Sequence, residues 1–151
     1  MPRRPPAPAK LTLPRLHAVT RRERLFKVIK EHCRNHPLVW VAGPPGAGKT
    51  SFIASYLAEK KQRTMWYHLD PGDADLATFF HHLAQVAQSA AGRKRLQLPA
   101  LTPEYMADVP GFTRRFMRKL WSKVPLPAIL VLDNYQELPI EAPSTRYFPS
   151  R

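Results

Sequence analysis

Residues Gly43 to Thr50 read Gly-Pro-Pro-Gly-Ala-Gly-Lys-Thr, a complete G-x-x-x-x-G-K-(S/T) phosphate-binding loop. An apolar run, Leu38-Val39-Trp40-Val41-Ala42, precedes it, and a helical pattern, Ser51 to Glu59, follows it. This context predicts a strand, a loop and a helix, the setting in which such a loop holds phosphate. Glycines let the backbone fold so that successive N–H groups face one anion. The start of the helix adds unpaired N–H groups and the positive end of its dipole. Gly43, Gly46, Ala47, Gly48, Lys49, Thr50 and Ser51 are therefore the candidate phosphate-binding residues. Lys49 would reach the β- and γ-phosphates, and the Thr50 hydroxyl would meet Mg²⁺.

The rest of the chain sets limits on this loop. At 151 residues and 44% hydrophobic content it has the size and core of one domain. Cys33 is the only cysteine, so no internal disulfide forms, which suits a reducing cytosol. No stretch suits a signal peptide or a membrane span, so the expectation is a cytoplasmic protein without a membrane partner. The net charge is +13, and residues 1–36 hold ten Lys/Arg against two Glu. Such a surface attracts polyanions without selectivity. Yet Arg114, Arg115, Arg118 and Lys119 fall on the polar face of a helical pattern, and no nucleic-acid-binding motif accompanies them.

Residues 1–10 read as a disordered basic, proline-rich tail, 11–138 as the folded domain and 139–151 as an irregular tail. Thr20 and Glu23 have capping-box spacing at the head of a helix whose apolar face carries Leu25, Phe26, Val28, Ile29 and Cys33. Thr64 to Leu69 reads as a buried strand closed by Asp70-Pro71-Gly72. One helix follows with Leu76, Phe79, Phe80, Leu83, Val86 and Ala87, and another with Phe112, Phe116, Leu120, Trp121 and Val124. Ala128 to Asp133 is an apolar run ending in a carboxylate, the Walker B pattern, about 85 residues after the phosphate loop. Asp133 would hold Mg²⁺ together with Thr50. The order strand-helix-strand-helix-helix-strand predicts a three-layer α/β P-loop NTPase fold with a parallel sheet.

Beyond the loop, the chain resembles the N-terminal ATPase domain of MalT-like transcriptional activators, in the STAND class of signal-transducing NTPases. The resemblance rests on Lys10-Leu11 and Pro14, and on His17-Ala18-Val19 followed by Arg22-Glu23-Arg24-Leu25. It continues through Trp66-Tyr67-His68-Leu69-Asp70 with Gly72-Asp73, then Phe79 and Leu83, then Leu130-Val131-Leu132-Asp133-Asn134-Tyr135-Gln136. It implies an ATP switch: ATP and an inducer favour a self-associating form, and DNA is met through domains outside this chain. It places Val19 to Arg24 near the adenine, so Arg22 joins the candidate nucleotide residues, with Lys49 and Asp133 as the candidate catalytic pair.

Two departures from the family pattern shape the expectation. The family carries a second acidic residue directly after the Walker B aspartate, where this chain has Asn134. An amide orients water but cannot take its proton. Slow or absent hydrolysis is expected, with Glu137 the less favoured substitute base. The chain also runs only 18 residues past Asp133, short of the family's next strand, which lies between the P-loop strand and the Walker B strand. An incomplete sheet and a truncated or frameshifted reading frame are the resulting expectations.

Other readings weigh less. His32 and His36 could begin a zinc site, but no further ligand is apparent, and a helix-end role fits better. His81 and His82 are adjacent and point apart on a helix. Asp108 to Gly111 matches D-x-x-G without the context a GTPase needs. A small-molecule or nucleotide kinase, with Arg93-Lys94-Arg95 as a lid, is the alternative enzyme. A non-catalytic fragment with nonspecific nucleic-acid affinity is the alternative without turnover.

Overall fold

The computed structural model describes residues 8–16, 20–60, 62–92 and 94–138. The chain divides into two compact units: Pro14–Gln62 forms one, and the stretches Met1–Leu13 and Arg63–Arg151 form the other. The unit carrying the glycine-rich loop is thus an insertion in the sequence of the second.

In the inserted unit, α1 spans Glu23–Asn35 and α2 spans Lys49–Lys60. They meet through aromatic rings: Phe26 lies 5.7 Å from Phe52 and 5.4 Å, edge-on, from Tyr56. Phe26 and Ile29 are buried, whereas Leu25 and Val28 remain exposed, as does Cys33, so the buried stripe is narrower than the periodicity suggests. The expected capping box is not formed. Arg22 is the N-cap and makes no side-chain cap bond, because the helix begins at Glu23 and leaves that carboxylate at the first helical position. Arg21 instead pairs with Glu59 at 3.1 Å.

The expected strand over Leu38 to Ala42 is absent. Leu38 is 58% exposed and Trp40 45%. An extended segment becomes a strand only by sharing its backbone groups with a neighbour. The two strands that do form pair with each other, and among the described residues none follows the second. The three-layer sheet predicted from element order is therefore reduced to a two-stranded one.

That pair is parallel. β1, Arg63–His68, runs beside β2, Ala128–Asp133, in register from Arg63 opposite Ala128 to His68 opposite Asp133. One face of the pair, bearing Met65 and Tyr67 with Leu130 and Leu132, joins a core built by α3 (Leu76–Ala90) and α4 (Val109–Lys123). Phe80 is central to this core, 4.9 Å from Phe112 and 5.0 Å from Phe116. Both helices start where short carboxylates accept backbone N–H groups, Asp75 from Thr78 and Asp108 from Gly111. The D-x-x-G match is thus a helix cap. Arg114, Arg115, Arg118 and Lys119 line the exposed face of α4, as the periodicity suggests. No helix among the described residues is long and apolar enough to cross a membrane.

The second unit also holds a buried charge. Asp73 is fully buried in a short 3₁₀ turn, Pro71–Ala74. Its carboxylate accepts from Lys10 Nζ at 3.0 and 3.2 Å, from the Asp70 N–H at 3.0 Å and from His82 Nδ1 at 3.0 Å. Burial works against its ionisation, but these donors and the Tyr67 hydroxyl hold the carboxyl below the usual range. Burial also opposes the Lys10 charge, and Asp70 and Asp73 outweigh it, raising the ammonium's pKa. The Tyr67 hydroxyl is pushed upward by burial and by the neighbouring carboxylates. Lys10 sits in a 3₁₀ turn, Ala9–Leu11, whose Leu11 enters the core.

Candidate functional site

The glycine-rich loop connects an extended segment to α2. Gly46 and Gly48 both have φ near +75°, where a Cβ is strained, so glycine suits both positions of the loop. Lys49, the first residue of α2, bends back over the loop, and its ammonium donates to Gly43 O at 2.8 Å and Pro44 O at 3.0 Å. Thr50 and Ser51 complete the first turn of the helix.

Arg22 joins the same site. Its guanidinium donates to Ala47 O at 3.2 Å, and a Cβ at Gly48 would lie 3.3 Å from its Nη2. Glycine at 48 thus serves both the turn and the approach of the cation. A cavity of about 230 Å³, lined by Thr20, Arg22, Gly48, Ser51 and Phe52, opens beside the loop. Gly43, Gly46, Ala47, Gly48, Lys49, Thr50, Ser51 and Arg22 all lie in this one unit. Val19, expected near an adenine, lies outside the described residues.

Asp133 belongs to the other unit and ends β2. Its side chain is 11% exposed, and His68 Nδ1 lies 2.9 Å from its Oδ2. A carboxylate can only accept, so the imidazole donates and carries its proton on Nδ1. Asn134 follows in the left-handed conformation, φ 65°, which asparagine tolerates better than most residues. Its amide is committed: Nδ2 donates to Leu69 O at 3.3 Å, and Oδ1 accepts from Gln136 Nε2 at 2.6 Å. Glu137 is exposed.

The remaining candidates resolve into structure. His32 Nδ1 bonds Val28 O within α1, and His36 caps that helix. His81 turns to Gln85 and His82 to Asp73. No group of three or more metal-ligating side chains occurs among the described residues. Of the proposed lid, Arg93 lies outside the described residues. The segment after it is stapled to α3 by Gln88, which donates to Lys94 O and accepts from Leu96 N–H.

The sequence reading missed the partners of two carboxylates. His68 appeared there as a strand residue and a point of resemblance, without a partner, although two six-residue runs ending in His and Asp would pair those ends in a parallel register. Asp73 appeared only as a point of resemblance, and Lys10 as that and as the last residue of the expected tail.

The chain is of mixed α/β class, with a glycine-rich loop ahead of α2 in one unit and a parallel strand pair that ends in an acid in the other. Residues 19–140 match the family described as Nephrocystin 3, N-terminal, and the chain belongs to that family. It is also 30% identical over 147 residues to the HTH-type transcriptional regulator MalT of Klebsiella pneumoniae, covering 93% of this chain and 16% of that protein. Against the HTH-type transcriptional regulator MalT of Vibrio cholerae it is 37% identical over 84 residues, 55% of this chain and 9% of that one. The chain thus spans about a sixth of the length of the Klebsiella relative. No solved structure matches it.

Proposed function

We propose that this chain is the Mg-ATP-binding module of a MalT-like, signal-transducing transcriptional regulator that acts in the cytoplasm, with slow or no hydrolysis. The observation that carries the reading is the pair of left-handed glycines, Gly46 and Gly48, ahead of Lys49 at the start of α2. Similarity to regulators named MalT supports the wider role. In this reading the loop from Gly43 to Ser51 binds the phosphates, Lys49 neutralises their charge and Arg22 lies beside the base. The hard oxygens of Thr50 and Asp133 suit Mg²⁺, which would shield the β- and γ-phosphate charge. Self-association belongs to the same proposal, and contact with DNA would come through domains outside this chain.

Thermal unfolding with and without Mg-ATP tests the reading. A ligand that binds only the native state stabilises it by about 2.7 kcal/mol at a hundredfold excess over Kd. For a domain of this size that raises the midpoint by about 5–10 °C. Lys49→Ala is expected to abolish the shift while leaving the unliganded midpoint within about 2 °C, because the Lys49 ammonium bonds exposed carbonyls of its own loop. Equal shifts in both proteins would defeat the proposal.

Asn134 supports the slow turnover. Its amide is tied to Leu69 and Gln136, and it has no basic oxygen with which to take a proton from water. Asn134→Asp is expected to raise single-turnover ATP hydrolysis by about tenfold or more. An unchanged rate would move the cause of slow turnover away from this position.

A further inference from the structure

We infer that the exposed face of α4 is a contact surface for the phosphate backbone of double-stranded DNA, met without regard to base sequence. The inference goes beyond the Mg-ATP reading, does not depend on it, and adds to any contact that domains outside this chain make. α4 carries Arg114, Arg115, Arg118, Lys119 and Lys123, all exposed, and no acidic residue. At helical spacing Arg114 and Arg118 form one row, and Arg115, Lys119 and Lys123 a second beside it. The second row is about 12 Å long, a length over which each strand of a duplex bears about three or four phosphates. Among the described residues, no carboxylate pairs with any of these cations. Arg115 also lies over the Tyr105 ring, 4.6 Å from its centroid.

The needs of the helix do not account for this face. Like charges four residues apart repel, and the pairs Arg114–Arg118, Arg115–Lys119 and Lys119–Lys123 each cost the helix stability. Only Lys123, in the last turn, gains from the helix dipole. Gly111 and Ser122 lie between the rows, while Met117 and Trp121 pack against the core. The face therefore lacks the apolar centre around which protein–protein interfaces are built. Contacts to phosphate need no such centre, and they hold a duplex without reading its sequence. A net charge of +13 attracts the same polyanion from a distance.

The test follows binding of a fluorescent DNA duplex to the full chain by anisotropy, between about 50 and 200 mM salt. Arg118→Gln/Lys119→Gln removes one cation from each row. Lys94→Gln/Arg95→Gln removes the same charge from exposed residues elsewhere in the unit. At the lowest salt the α4 variant should bind about tenfold or more weakly. Its slope of log affinity against log salt should be shallower by about 1.8, from two contacts at about 0.9 each. The control should stay within about threefold of wild type, and two duplexes of unrelated sequence within about threefold of each other. Losing Arg118 and Lys119 relieves all the like-charge pairs, so the α4 variant should unfold no earlier than wild type. Equal losses in the two variants would trace binding to diffuse charge and overturn the inference. A wild-type chain that leaves the duplex unbound at the lowest salt would overturn it too. If polyglutamate of matched charge competes as well as the duplex, the face suits an acidic protein segment, and the DNA assignment falls.

Discussion

Replacing Asp73 with alanine is expected to lower the unfolding free energy by about 3 kcal/mol, measured by urea unfolding with tryptophan fluorescence. Breaking a buried ion pair by removing one partner typically costs about 3–5 kcal/mol, because the other charge is left uncompensated. The low end applies because Lys10 keeps Asp70 at 2.9 Å and is itself 23% exposed. His82 and the Asp70 N–H also lose their acceptor. Asp73→Asn should cost less, since the amide retains one oxygen.

The same carboxylate sets an acid limb. Its pKa is lower in the folded chain than in the unfolded one, where it sits near the ordinary value of about 3.9. Its contribution is therefore complete above about pH 4 and is lost as pH falls from there through the folded value. Lys10 has the opposite sign. Its pKa is raised on folding, so its contribution is complete below about pH 10 and is lost as pH rises beyond that. Between these limits the pair should give a plateau, and Asp73→Asn should flatten its acid side. A wild-type acid limb that persists unchanged in Asp73→Asn would place the titrating group elsewhere.

Phe116→Ala is expected to cost about 4 kcal/mol, the largest single effect foreseen. The ring is fully buried between Phe80 and Phe112, at 5.0 and 6.0 Å. Truncating a buried Phe removes its transfer free energy and leaves a cavity, together about 3–5 kcal/mol. Phe116→Leu, nearer in volume, should lose about 1.5 kcal/mol or less. Leu25→Ala on α1 is the comparison: that side chain is 40% exposed, and the change should stay within about 0.5 kcal/mol. A loss at Phe116 no larger than at Leu25 would mean that the aromatic cluster is not the centre of this core.

The helices α3 and α4 were legible because their determinants are local. Six of the buried positions of α3 were visible at helical spacing, whereas the caps Asp75 and Asp108, one residue ahead of their helices, were not read as caps. β1 and β2 were legible as apolar runs of strand length. Leu38 to Ala42 has the same composition and forms no strand, because composition specifies an extended preference and not a partner. The capping box at Thr20 and Glu23 failed for the opposite reason: a shift of the helix start by two residues removes its geometry. At the site, the loop residues were visible as a contiguous motif. The partners of Asp73 and Asp133 were not, since Lys10 lies 63 residues from Asp73 and His68 lies 65 from Asp133.

Those separations carry a consequence for how the chain assembles. Lys10 and Leu11 find their places only when β1, the 3₁₀ turn at Pro71–Ala74 and α3 exist to receive them. β1 in turn waits for β2 before either strand has a ladder. Closing two such long loops precedes any return in contact energy, which slows folding by the same rule that separates sheet proteins from helical bundles. Meanwhile α1 and α2, adjacent in sequence and joined by Phe26, Phe52 and Tyr56, can pair early. The unit with the phosphate loop is therefore the part able to take shape first, while Lys10 and Leu11, ahead of it in the chain, are among the last to settle.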